Sequence, residues 1–157
     1  INLEDDGERP VWDLISSMAV TESRLKVDIA PFPTDTEVAS TAADCDALIL
    51  PYKWGTHSGQ LELAFDLGVL PITSTVGYLH EQYQRHEGLV PEPVWFDWSD
   101  GSAYAYGERF LRALDRAVTY GGADDFTNRR ADFADHRRAE HKKVMAVHHD
   151  LYECPWT

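Results

Sequence analysis

The chain has 157 residues, 43% of them hydrophobic and 11% aromatic, which is enough for one ordinary domain with a single sizeable core and too apolar for a disordered segment. Its 14 basic and 27 acidic residues leave a net charge of −13, so the surface as a whole repels phosphate backbones and nucleic acid is excluded as a general partner. The two cysteines, Cys45 and Cys154, form no C-x-x-C pair and suggest no disulfide framework; with no signal peptide and no apolar run of membrane-spanning length, the default compartment is the cytoplasm.

Taken in chain order, Ile1–Leu3 reads as the end of a strand and EDDGERP as a polar turn. The chain opens without Met and inside an apolar–polar alternation, which suggests a piece of something longer. Pro10 suits the first turn of a helix through about Met18. RLKVDIA (24–30) alternates as a strand should and stops at Pro31 and Pro33. Thr34 or Asp35 caps a short helix over 35–43, with Glu37 in its first turn. ALILPY (47–52) is a nearly continuous apolar run, as expected where a parallel sheet is covered on both faces.

A small-residue turn, GTHSG (55–59), follows, then a helix from about Ser58 to Leu67 stopped by Gly68. VLPITST (69–75) is a second buried strand, residues 79–87 make a short helix, and VWFDW (94–98) is the last strand. Asp100 or Ser102 opens a strong helix with Phe110, Leu114, Ala117 and Val118 at helical spacing, ended by Gly121–Gly122. A final helix runs from about Asp125 to Tyr152, with Phe126, Phe133, Val144, Val147 and Leu151 as a broken apolar stripe. Strands alternating with helices at short spacing predict one domain, 1–157, with a Rossmann-like parallel sheet flanked by helices. Such sheets bind ligands at the carboxyl ends of their strands, which points to the turn after ALILPY.

That turn has the residues an anion site needs. Gly55, Thr56, Ser58 and Gly59 let a ligand approach the backbone, and a helix start offers unpaired amides with partial positive charge. With Ser58 as the N-cap, Glu62 falls at the fourth helical position and leans back toward the ligand end, where a carboxylate accepts hydrogen bonds from ribose hydroxyls. The competing explanation is structural: Ser is an ordinary cap, and an acid early in a helix is favoured by the dipole.

The stretch DCDALILPYKWGTHSGQLELAFDLGVLPITSTVGYLHEQ (44–82) resembles the donor-binding segment of GT-B fold glycosyltransferases, especially family 4, the glycosyl transferases group 1. Its CDALILPY strand, GTHSG turn, LELAFDLGVLPITS helix–strand unit and VGYLHE turn are similar to that family's corresponding segments. The resemblance implies the carboxy-terminal half of a GT-B enzyme, without its own first strand, that moves a sugar (hexosyltransferase type) from a UDP- or GDP-linked nucleotide-sugar to an unknown acceptor. Glu62 matches the second glutamate of the E-x7-E motif, which holds the ribose. Ser58, Gly59 and Gln60 match the helix start facing the donor diphosphate, and Gly77 and Glu81 match a turn further along the cleft.

Eight residues before Glu62 stands Trp54, so the motif's first glutamate, which touches the donor sugar, is absent. His57 or Thr56 takes the sugar-facing place instead, and Lys53 is the nearby cation for diphosphate charge. The catalytic residues stay unassigned, because the resemblance places them with an amino-terminal acceptor domain. The segment 124–157 would pack back on that domain. The donor is a substrate and no separate cofactor is implied. Without the acceptor domain the chain is expected to be inactive, and a non-catalytic regulatory or scaffold module is the alternative.

Six of the 14 basic residues lie between 129 and 143. They read either as a solvated helix face balanced by Asp132, Asp135 and Glu140, or as a docking face for the missing domain, an acidic partner or a membrane surface; an oligomer is a separate partner expectation, tied to no particular segment. His136, His141, His148 and His149 share no i,i+4 spacing and do not read as a metal site. The aromatics of VWFDW read as buried strand residues, with a stacking platform as the alternative.

Overall fold

The computed structural model describes residues 9–27, 32–97 and 103–153. The chain divides into two compact units, Ile1–Thr34 and Asp35–Thr157. In the first, helix α1 spans Arg9–Thr21, with Pro10 in its first turn as expected. Residues 24–27 of the expected second-strand segment are turn and irregular backbone, because Glu22 closes a local turn: its carboxylate accepts from the Arg24 amide at 3.0 Å and from the guanidinium at 2.7 Å. Residues 28–30 of that segment, the Ile1–Leu3 strand end, the capping candidates Asp100 and Ser102, Trp98 and Cys154 lie outside the described residues.

The second unit contains α2 (Asp35–Ala43), β1 (Ala47–Leu50), α3 (Gly59–Leu67), β2 (Leu70–Ser74), α4 (Leu79–Gln84), β3 (Val94–Phe96), α5 (Ala103–Gly121) and α6 (Asp124–Glu153). The strands form a parallel sheet in the order β1-β2-β3, with Ala47 opposite Leu70 and Ile72 opposite Val94. This is an α/β layout flanked by helices, compatible with a Rossmann-like fold. Period-two alternation divides the core. Leu70 and Ile72 of β2 and Val94 and Phe96 of β3 pack with Ala113 and Ala117 of α5 and Phe126 and Phe133 of α6. On the other face Leu50, Leu61, Phe65, Leu79, Tyr83 and Val90 form a second cluster, with Leu48, Tyr52 and Trp95 against it.

Every residue of β2 is buried, as a central strand requires, but β1 is not covered on both faces as its apolar run suggests. Among the described residues it lies at the edge of the sheet, and Ile49, on the α5 side, is 45% exposed. The α5 stripe also shifts. Ala113 and Ala117 face the sheet, whereas Val118 is exposed, because a sheet this narrow covers only part of the helix. The α6 stripe holds at Phe126 and Phe133 and fails at Val144, Val147 and Leu151, which are exposed beyond the region α6 packs against.

Gly68 explains how α6 comes close to α3. It ends α3 in the left-handed conformation at φ 64°, and a Cβ there would lie 2.4 Å from the Arg130 carbonyl oxygen, so only glycine allows the two backbones to approach. Of the six basic residues of α6, three are turned inward. Arg130 donates to the carbonyls of Ala43 and Cys45 at 2.6 and 2.9 Å, satisfying the end of α2. Arg129 lies 4.8 Å over the Phe133 ring and donates to the Gly88 carbonyl. The third, Arg137, belongs to the site described below. Among the described residues no helix is long and apolar enough to cross a membrane, and Cys45 is a free thiol.

Candidate functional site

The chain leaves β1 at Leu50 and enters α3 at Gly59, and the connecting turn is fixed from beneath by the next strand. Thr73 donates its hydroxyl to the Leu50 carbonyl at 3.2 Å, and Ser74 donates to the Tyr52 carbonyl at 2.5 Å. Ser58 is the N-cap. It has extended backbone, its Oγ accepts from the Leu61 amide at 3.0 Å, and it shares a hydrogen bond with the Tyr52 hydroxyl at 2.9 Å.

A second loop closes on this one. The Tyr78 amide donates to the Thr56 carbonyl at 2.9 Å, and His57 stacks on Tyr78 with ring centroids 5.7 Å apart. Gly77 has φ 57°, and a Cβ there would sit 1.9 Å from the Gly55 carbonyl oxygen. Gly77 is thus needed for both its backbone conformation and the loop contact.

The amides at the start of α3 divide into used and unused. Gln82 of α4 clamps Ser58, accepting from its amide at 3.1 Å and donating to its carbonyl at 3.0 Å. The Leu61 amide is capped by Ser58 Oγ, and the Glu62 amide donates to the Ser58 carbonyl at 3.3 Å. Among the described residues the Gly59 and Gln60 amides are left without a partner. Gly59 lines a groove of about 550 Å³ together with Lys53, Trp54, Gly55, His57 and Ser58 and with Pro51, Tyr52 and Leu79, and Gln60 is the next residue of α3. A Cβ added at Gly55 or Gly59 would meet no protein atom within 4 Å, so these glycines leave room in front of the backbone that the protein does not fill. Trp54, at the place of the absent glutamate, lines the same groove and is 85% exposed.

Glu62 is placed differently. It stands one turn into α3 as its spacing predicts, but its Oε1 accepts from Gln82 at 2.6 Å and its Oε2 from Arg137 of α6 at 2.7 Å. Arg137 is largely buried and also pairs with Asp66 at 2.7 Å and Glu140 at 3.1 Å. Burial works to lower the guanidinium's pKa, but Asp66, Glu62 and Glu140 outweigh it and hold the pKa above its ordinary value, so the group stays charged. Glu81 is exposed on α4 and does not line the groove.

The structure therefore brings Lys53, Gly55, His57, Ser58 and Gly59 together at the groove, leaves Thr56 and Gln60 next to them in the chain and Gly77 against Gly55 and Thr56, and sets Glu62 and Glu81 apart. Sequence reasoning missed Gln82, Tyr52 and Arg137. Only Arg137 had a signal, as part of a basic run whose inward members the spacing alone does not distinguish. Compared with protein-family models, curated proteins and solved structures, the chain matches none.

Proposed function

We propose that this chain is the donor-binding half of a GT-B glycosyltransferase, holding the diphosphate of a UDP- or GDP-linked sugar against the start of α3. The observation that carries the reading is the unpartnered Gly59 amide at a groove beside the carboxyl end of a parallel strand, followed in α3 by a second unpartnered amide at Gln60. A helix start with free donors and partial positive charge suits a diphosphate. Lys53 adds charge at the groove, and the exposed Trp54 indole supplies a flat apolar surface for a base or sugar ring. In the intact enzyme, transfer rests on positioning the donor and on stabilising the departing diphosphate with these amides.

Two observations favour a second reading, a non-catalytic α/β module: Trp54 replaces the sugar-contacting glutamate, and Glu62 is already engaged by two protein donors. Titration with UDP and with GDP, followed by calorimetry and amide chemical shifts, separates the readings. Donor binding predicts shifts at Gly59 and Gln60, and a loss of affinity of about tenfold, ~1.4 kcal/mol, in Gly59→Ala. That variant should melt within a few degrees of the parent, because the added methyl meets no protein atom within 4 Å. No heat and no shift at either amide would leave the module reading standing.

A further inference from the structure

Behind α3, away from the residues that line the groove, His86, His136 and Glu140 converge. His86 follows α4, where its amide donates to the Tyr83 carbonyl at 2.8 Å and its ring meets Phe65 edge-on at 6.3 Å, which fixes its direction. His136 and Glu140 are one turn apart on the same face of α6. One donor atom from each of the three lies within 4.8 Å of the others.

Two of these atoms are chemically unfinished. His86 Nδ1 and His136 Nε2 are buried, and neither has a hydrogen-bond partner. Each instead lies 3.4 Å from the same oxygen, Glu140 Oε2. Polar atoms buried without a partner are uncommon in folded proteins and call for a missing water or ion. The two nitrogen–oxygen spacings match an ion. Ligand atoms ~2.0–2.1 Å from a tetrahedral zinc sit about 3.3–3.4 Å from one another. Two imidazole nitrogens and one carboxylate also suit a borderline divalent transition metal better than calcium or magnesium, which take oxygen ligands.

We propose that His86, His136 and Glu140 form a binding site for a divalent transition metal of the zinc class, which clamps the middle of α6 to the turn after α4. Two imidazole nitrogens and a carboxylate oxygen are three ligands. His86 and Glu140 also line a groove of about 560 Å³, with Asp66, Arg137, Lys142 and Val144, which has room for water or a small anion as the fourth ligand. Arg137 opposes the metal. Its Nη1 donates to His86 Nε2 at 3.1 Å, which keeps the ring proton on Nδ1. Loading moves that proton to Nε2 and, because the guanidinium is one rigid plane, shifts the whole group off His86 Nε2 and off Glu140 Oε2, to which Nη1 also donates at 3.1 Å, loosening its pairs with Asp66 and Glu62. The site stands independently of the donor-binding reading, because none of its three ligands lines the groove at Gly59.

The test uses the untagged chain, stripped with a chelator and titrated with Zn²⁺ and Co²⁺. One equivalent should bind with Kd below about 10 µM. The Co²⁺ form should show the visible bands of a low-coordinate site, and metal should raise the melting temperature. His136→Ala and E140Q should each weaken binding by about tenfold or more. His86→Asn, which keeps a polar side chain beside Phe65, should do the same with an unchanged circular dichroism spectrum. His148→Ala/His149→Ala should bind as the parent does. Three results overturn the site: no stoichiometric uptake, as when a water satisfies the two nitrogens; uptake unchanged in His86→Asn and His136→Ala; or uptake lost with His148 and His149.

Discussion

Helix α3 presents polar groups in two settings, and the difference separates what a ligand can use from what the fold has already used. At its start, Gly59 and Gln60 keep free amides, Gly59 lines a groove, and Gly55 and Gly59 leave space that no protein atom occupies. One turn later, Glu62 and Asp66 face α6 and are drawn into pairing with Arg137, which also reaches Glu140. Both regions have motif-like residues in the sequence. Only the first has unspent hydrogen-bonding capacity, and free donors at a helix start mark a binding surface more reliably than the identity of a nearby acid.

The sharpest way to break this contrast is to remove Arg137. Arg137→Met keeps much of the side chain's bulk but leaves Glu62, Asp66 and Glu140 without their shared cation. Losing one partner of a buried pair costs several kcal/mol, and the partial exposure of these carboxylates reduces that to about 2–3 kcal/mol. Urea denaturation should show the loss as a lower midpoint with an unchanged slope. A variant as stable as the parent would mean the closed side of α3 contributes nothing, and the two settings would cease to differ.

Ser58→Ala acts on the open side and should cost about 1 kcal/mol, the usual worth of an N-cap. It frees the Leu61 amide and deprives the Tyr52 hydroxyl of its partner. Here stability and ligand affinity should fall together, because Gly59 and Gln60 lose the anchor that aims them. An affinity loss without a change in midpoint would show that Ser58 touches the ligand itself.

The smallest effect is expected at high pH, on the closed side. Tyr83 packs near Phe65 of α3, and burial followed by Glu92 and Glu87 raises its phenol above the ordinary value of 10.0. Tyr120 is raised too, chiefly by burial. The unfolded chain therefore releases these protons first, so their contribution to stability is complete below pH 10.0 and falls as pH rises through the folded values. Chemical denaturation across this range should show a falling midpoint. In Tyr83→Phe the fall should be smaller.

Local signals carried most of the element boundaries. Helix α2 matches its predicted span, and α3 starts after Ser58 and stops at Gly68 because capping and left-handed glycine are decided by a few adjacent residues. The strands came out shorter than their apolar runs: β1 stops at Leu50, opposite Thr73, whose hydroxyl donates to the Leu50 carbonyl, although β2 runs on to Ser74. Exposure was less legible. Ile49 and Val118 look like core residues in sequence and are exposed because the three strands among the described residues do not cover them.

The sequence by itself determined the alternation of strand and helix, the glycine-rich turn after β1 and the position of Glu62 one turn into α3. These depend on periodicity and on contacts within a few residues. Tertiary structure decided which of those groups remain available. Gln82 lies 24 residues from Ser58, and Arg137 lies 75 residues from Glu62, yet they fix the helix start and occupy the carboxylate. Hydrogen bonds over such separations follow from packing, which no local pattern encodes. His86, 51 residues from Arg137 in the chain, reaches the same corner for the same reason. It is the fold that sets its ring beside His136 and Glu140.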